Sequence, residues 1–324
     1  MNAKKLVSLV MLAALLSFSG PVPAVAQTLP EVTFGILTPT ASEWPVYLAE
    51  TQGFYKAEGI KLTIVEGNTP PNVINMVATN GANMADNGCD SEIAAVSHGL
   101  PIKMVAPMFG VNPYSLVVLP SIKTWADLKG KSVMLGTKQD VTAIALGSLA
   151  AAHGLKLDDF SIVIGGNSTA RYAGLASGNV QGAMLGQPFD LLAESKGNTI
   201  LATASDTIKD WAFTCVITNN DWAAKNRPLV VKVLRAIRKA IQYGYAHKDA
   251  AVAALVTVTK TDPVIAARAW DIDFGKWKAF DPNLKFSPSS VQNVGKYQIS
   301  FGVIPSMPPM SDLYDGSYTA EALK

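Results

Sequence analysis

With 324 residues, of which 49% are apolar and 16% charged, the chain has the length and composition of a packed globular protein of two ordinary domains, which excludes a disordered chain. Its formal net charge of +2 is too near neutrality for a nucleic-acid or membrane-surface binder.

Lys4 and Lys5 precede an apolar run from Leu6 to Phe18, followed by Pro21, Pro23 and Ala24-Val25-Ala26. This is the pattern of a secretory signal, with cleavage expected after Ala26. The run is short for a bilayer span, and no other uncharged stretch approaches the length required. Loss of Lys4 and Lys5 lowers the basic count from 27 to 25 against 25 acidic residues, leaving a mature net charge of zero. Neither cysteine, Cys89 or Cys215, follows the signal core as a lipidation site would. Export permits a disulfide, but the two lie far apart in sequence and free cysteine is among the most buried residue types. Two buried thiols are therefore the preferred expectation over a bridge.

The first element is the apolar run Phe34-Gly35-Ile36-Leu37, which breaks into Thr38-Pro39-Thr40-Ala41-Ser42-Glu43 and re-enters an amphipathic segment at Trp44. It reads as strand, turn and helix N-terminus, with Pro45 suited to the first helical position and Ser42 able to cap. The free N–H groups of such a turn suit an anionic or polar ligand group. A helix from Pro45 to Tyr55 is stopped by Gly53 and Gly59. A strand over 59–68, a helix over Val73–Ala78 and a short strand Ala82–Ala85 follow, the last running into the polar turn Asp86-Asn87-Gly88-Cys89-Asp90-Ser91. Then come a helix Glu92–Ser97 and a buried strand Ile102–Ala106.

The same order of signals returns about one hundred residues later. Gly35 is answered by Gly136 in Ser132-Val133-Met134-Leu135-Gly136-Thr137, and Gly59-Ile60-Lys61-Leu62 by Gly154-Leu155-Lys156-Leu157. Ile64-Val65-Glu66-Gly67-Asn68 is answered by Val163-Ile164-Gly165-Gly166-Asn167, and Asn80-Gly81-Ala82-Asn83-Met84-Ala85-Asp86 by Ser177-Gly178-Asn179-Val180-Gln181-Gly182-Ala183. Both copies then carry a polar turn, an apolar helix and a closing glycine, Gly99 and Gly197. Units of several strands and helices predict two similar α/β lobes with mainly parallel sheets, not a solenoid. Ligands of such sheets collect beyond the carboxyl ends of the strands, so the two sets of turns are expected to face one cleft. The division expected is signal 1–26, first lobe 27–117, second lobe 118–213, and a return to the first lobe with C-terminal helices over 214–324. Those helices read as Pro228–Tyr245, Asp249–Val258, Pro263–Trp270 and Ser289–Phe301.

His98, His153 and His247 are scattered, with no Cys or carboxylate at ligand spacing, so no metal site is expected. No nucleophile elbow, P-loop or dinucleotide fingerprint occurs, and no enzyme activity or cofactor is expected. The candidates for holding a small molecule are turn residues. From the first lobe they are Thr38, Thr40, Ser42, Trp44, Asn68, Asn87, Asp90 and Ser91; from the second, Thr137, Lys138, Gln139, Asp140, Thr142, Asn167, Ser168, Arg171, Gln187 and Asp190. Any one of them could instead cap a helix. Trp44 is read as a ring covering the ligand, with core packing as its alternative. Lys138 and Arg171 favour an anion, whereas Asp90, Asp140 and Asp190 suit a cation or an amine, or cap helices. Phe109, Tyr114 and Phe189 could add apolar walls or belong to the core.

Pro45-Val46-Tyr47-Leu48-Ala49, Gly53-Phe54-Tyr55-Lys56-Ala57-Glu58-Gly59-Ile60, His98-Gly99-Leu100-Pro101-Ile102-Lys103, Trp125-Ala126-Asp127-Leu128-Lys129-Gly130-Lys131 and Gln187-Pro188-Phe189 together resemble the periplasmic substrate-binding proteins of nitrate/sulfonate/taurine-type ABC importers, relatives of the thiamine-pyrimidine synthases. The resemblance covers nearly the whole mature chain. It implies a two-lobed type II binding-protein fold, periplasmic and monomeric, that closes on a small polar or anionic organic solute and docks on a membrane permease with its ATPase. One departure is Gly182, where the family usually carries an acid before Ala183. The rival readings are a pyrimidine-synthase-type enzyme and a binding protein that reports to a membrane sensor.

Overall fold

The computed structural model describes residues 28–324; the expected signal over 1–26 lies outside them. Ten strands follow in order: β1 (Glu31–Ile36), β2 (Lys61–Glu66), β3 (Met84–Gly88), β4 (Ile102–Phe109), β5 (Ser115–Val118), β6 (Ser132–Leu135), β7 (Ser161–Ile164), β8 (Gly182–Leu185), β9 (Thr199–Thr203) and β10 (Thr214–Asn219). They make two five-stranded sheets, ordered β2-β1-β3-β10-β4 and β7-β6-β8-β5-β9. The orders coincide once each strand is replaced by its repeat partner, so the internal repeat is a repeat of topology.

β1 pairs in parallel with β2 and β3, and β6 with β7 and β8. The sheets are nevertheless mixed. β10 runs antiparallel between β3 and β4, and β5 antiparallel between β8 and β9. The chain enters the second sheet through β5 and re-enters the first through β10. Gly35 lies opposite Val65 and Ala85 in the register. A Cβ at Gly35 would stand 3.1 Å from that of Ala85, so the glycine permits the tight packing of β1 on β3.

Many apolar residues of these strands are fully buried, Phe34, Ile36, Met84, Val133 and Leu185 among them. The 20-residue helix Arg227–Ala246 buries Val230, Val233, Leu234, Ile237 and Ile241, the stripe its 3.6-residue period predicts. It packs on the helix Trp44–Thr51 of the first lobe. The C-terminal region also reaches the second lobe, where Arg268 pairs with Glu194 at 2.7 Å.

Cys89 and Cys215 are joined in a disulfide, with Cα atoms 5.6 Å apart, which corrects the expectation of free thiols. Cys89 opens the helix just after β3, and Cys215 stands opposite Asn87 on the neighbouring β10. The return of the chain through β10 closes a sequence separation of 126 residues.

Candidate functional site

The carboxyl ends of the two sheets face each other across a cavity of about 60 Å³, room for a few waters or a small solute group. Its wall combines Leu37, Thr38 and Thr40 to Glu43 from the turn after β1, Pro70, Asp86 to Gly88 from β3 with Asp90 and Ser91 just beyond it, and Asp140, Val141, Gly166, Ser168, Arg171, Gly186 and Gln187 from the second lobe. Phe109, Pro113, Tyr114, Phe213, Thr214 and Asp273 complete it.

The lobes touch directly around this space. The Ala41 N–H donates to the Gln187 carbonyl at 3.1 Å, the Val141 N–H to Asp90 Oδ2 at 3.2 Å, and Asn167 Nδ2 to the Asn68 carbonyl at 3.5 Å. Gln187 precedes Pro188 through a cis peptide bond.

The turn after β1 is organised around Glu43. Thr40 and Glu43 form a capping box, the arrangement in which two orphan amides of a helix start are satisfied reciprocally. Glu43 Oε2 accepts from the Thr40 hydroxyl at 2.8 Å and from Tyr47 Oη at 3.3 Å, and Oε1 accepts from Ser42 Oγ at 3.0 Å. Thr40, not Ser42, is thus the cap, and the amides expected to meet a ligand are taken up inside the protein. Burial pushes the Glu43 carboxyl up to about 7 against these hydrogen bonds.

Asp140 caps the helix Val141–Ala151 by accepting from the Thr142 and Ala143 amides, and it also accepts from the Thr137 N–H at 3.0 Å. Asp90 takes the Val141 amide of the same helix, so two carboxylates converge on one helix N-terminus, where the dipole favours them. Burial, then the charge of Asp140, raises Asp90 to about 7.

Arg171 is 1% exposed. Its Nε donates to the Met184 carbonyl at 2.6 Å, Nη1 to the Gly166 carbonyl and Nη2 to Ser168 Oγ at 2.9 Å. Its guanidinium carbon lies 5.3 Å from the centre of the Tyr114 ring. The residue expected to bind a ligand anion is therefore committed mainly to the second lobe's own backbone.

Ten of the sequence candidates line the cavity: Thr38, Thr40, Ser42, Asn87, Asp90, Ser91, Asp140, Ser168, Arg171 and Gln187. The other eight stand elsewhere. Trp44 is wholly buried, donates Nε1–H to the Ala251 carbonyl at 2.6 Å and meets Phe274 edge-on; it is a core residue. Asn68 is exposed with φ 62°, in the left-handed region asparagine tolerates. Thr137 and Gln139 face an adjoining surface groove that shares Asp90, Ser91 and Asp140 with the cavity, and Lys138 is exposed on the same turn. Thr142 Oγ1 accepts the Gly136 N–H at 2.9 Å, and Asn167 caps the helix Ser168–Ala176. Asp190 sits behind Gln187, accepting from its Nε2 at 3.3 Å and from Ser115 Oγ at 2.9 Å, and burial raises it to about 7. Of the aromatic candidates, Phe109 and Tyr114 line the cavity, while Phe189 packs on Tyr172.

The residues missed by sequence reasoning are Glu43, Asp86, Thr214 and Asp273. Asp86 lies in β3 directly before Asn87 and close to Asp90, and Glu43 lies between two chosen residues, so nearness to the chosen turns would have found both. Asp273 sits in a π-helical turn, Asp271–Lys276, in a region read only as packing helices. Burial and the neighbouring Glu43 charge raise Asp86 well above the usual carboxylate range; burial and Asp190 do the same for Asp273.

Curated relatives include the 4-amino-5-hydroxymethyl-2-methylpyrimidine phosphate synthase THI5 of Saccharomyces cerevisiae, 26% identical over 223 residues, or 63% of this chain and 64% of the relative. The synthase of the same name from Aspergillus parasiticus is 24% identical over 224 residues, 64% of each chain. The match thus spans under two thirds of these relatives' length. Among solved structures, the ligand-binding component of an ABC-type import system from Staphylococcus aureus superposes with TM-score 0.77 at 14% identity, covering 90% of this chain and 99% of that one. The nitrate-binding protein NrtA from Synechocystis PCC 6803 gives 0.76 at 15%, covering 91% and 88%. The alkanesulfonate-binding protein SsuA from Xanthomonas axonopodis pv. citri gives 0.71 at 17%, covering 88% and 98%. At these identities the likeness is one of fold, the periplasmic binding protein fold. A family model described as NMT1/THI5 like matches residues 41–251, and the chain belongs to the NMT1/THI5-like family.

Proposed function

We propose that the chain captures a small polar organic solute in the periplasm and delivers it to the permease of an ABC importer. The observation that carries this reading is the cavity at the junction of two topologically equivalent lobes, into which each lobe turns buried polar atoms without a partner. Thr38 Oγ1 and both Asp86 oxygens come from the first lobe, and Gln187 Oε1 from the second. A solute that satisfies both sets binds the closed arrangement better than an open one, and that difference in affinity drives closure. Because β5 (Ser115–Val118) belongs to the second sheet, the boundary expected at 117 moves ahead of it: the lobes proposed are residues 27–114 and 115–213, with 214–324 returning to the first, and the crossings next to β5 and β10 act as the hinge.

The names of the curated relatives motivate a second reading, a pyrimidine-synthase-type enzyme. Against it, the cavity lining contains no lysine, so a cofactor imine has no side chain there on which to form. The test combines two measurements. Protein prepared from the periplasm and denatured should release one small molecule per chain by mass spectrometry, and adding it back should raise the melting temperature by several degrees, as ligand at about a hundred times its Kd stabilises by about 2.7 kcal/mol. Absence of a released solute, together with imine absorbance on incubation with pyridoxal phosphate, would overturn the transport reading in favour of the enzyme.

A further inference from the structure

Five carboxyl groups line the cavity, those of Glu43, Asp86, Asp90, Asp140 and Asp273, against one basic side chain, Arg171. Three of the five already have donors within the protein. Glu43 takes the hydroxyls of Thr40, Ser42 and Tyr47, and Asp90 and Asp140 take amides at the start of the helix Val141–Ala151. The remaining two do not. Asp86 is 1% exposed and Asp273 is 0% exposed; neither carboxyl makes a well-formed hydrogen bond within the protein, the Thr214 hydroxyl being the one polar neighbour near enough to favour ionised Asp86. A buried carboxyl without donors is costly, and Arg171 offers no relief, being engaged by Met184, Gly166 and Ser168. The unmet demand of the cavity is therefore for donors and positive charge.

Resting on the solute-binding reading, we infer that the solute presents a cationic nitrogen group, an ammonium or amidinium, to Asp86 and Asp273, with its apolar part against Phe109 and Phe213. Such a group brings several N–H donors and one positive charge to acceptors that the fold leaves unmatched. An anion would oppose the ionisation of five acids and find one committed guanidinium to offset its charge, an arrangement that disfavours binding. Asp86 faces Glu43 and Tyr47, and Asp273 faces Asp190 and Tyr245, so no neighbour supplies the missing cation. Burial favours the protonated form of both carboxyls, and a bound cation favours the ionised form, displacing protons as it pairs with them. Binding then releases protons and weakens as pH falls.

Isosteric probes of different charge test this directly: benzamidine, benzamide and benzoate, and for a smaller group acetamidine, acetamide and acetate. Titration calorimetry on solute-free protein in two buffers of different ionisation enthalpy reads affinity and proton release together. The amidinium of at least one series should bind at least about tenfold more tightly than its amide and carboxylate, with proton release, and lose about tenfold on acidification from about pH 8 to about pH 5.5. Asp86→Asn and Asp273→Asn should remove the preference for amidinium over amide. Should a variant fail to fold, proton release by the native chain decides. Preference for an amide or carboxylate, or cation binding without proton exchange, overturns the inference and leaves solute binding intact. If neither series binds, the charge of the solute retained on purification decides: an amine or amidine supports the inference, and a neutral or acidic solute overturns it. If no probe binds and no solute is retained, the solute-binding reading itself fails.

Discussion

Trp44 and Arg171 show how a residue's chemistry misleads when its neighbours are unknown. A tryptophan in a polar turn suggests a ligand cover, yet the helix it opens turns it inward, where Nε1 finds the Ala251 carbonyl across 207 positions of sequence. Trp44→Phe should destabilise the fold by about 1 kcal/mol for the lost hydrogen bond, plus a smaller packing loss, in urea unfolding. Solute affinity should stay within about twofold, since the ring lies outside the cavity; a large loss would return Trp44 to the site. Arg171 has the opposite lesson. Its charge advertised an anion site, but its guanidinium ties the turn at Gly166 to the strand end at Met184. Arg171→Met should cost about 3 kcal/mol in the same assay by leaving buried carbonyls without donors. An effect confined to solute binding, with unfolding unchanged, would contradict this assignment.

At the scale of elements, the repeat was legible because each unit places strand, turn and helix in the same order, and the turns of the two copies do meet at one cavity. What periodicity could not reveal is that β5 and β10 insert antiparallel between two strands of their sheets, because the run Thr214 to Thr218 carries no mark of which neighbours it will have. The disulfide follows from the insertion of β10, which explains why sequence separation misjudged it. Denatured, unreduced protein should show no free thiol by thiol titration and two after reduction. Cys89→Ser combined with Cys215→Ser should lower stability by about 2–5 kcal/mol. Two reactive thiols before reduction would contradict the bridge. Thr142 and Asn167 were chosen for the same polar character as Thr38 and Gln187, but Thr142 takes the Gly136 amide and Asn167 caps the helix Ser168–Ala176, bonds that residue type alone does not announce.

For the whole molecule, buried acids make stability depend on pH. Glu43, Asp90 and Asp190 are held at about 7 in the fold by burial, above the usual unfolded values near 4. Between these values the folded chain binds more protons than the unfolded one, so stability falls as pH rises through this window. Solute-free protein should melt at a higher temperature at about pH 5 than at about pH 8, by scanning calorimetry; the reverse order would show that these carboxyls are ionised in the native state. Solute should flatten or invert this dependence, because it favours the ionised acids of the cavity.

The central claim is that one small solute holds two lobes together, and small-angle X-ray scattering tests it most directly. Protein freed of solute by denaturation and refolded should show a larger radius of gyration than the same sample after the released solute is restored, with the restored profile matching the touching lobes described above. Identical profiles, with and without saturating solute, would contradict the account.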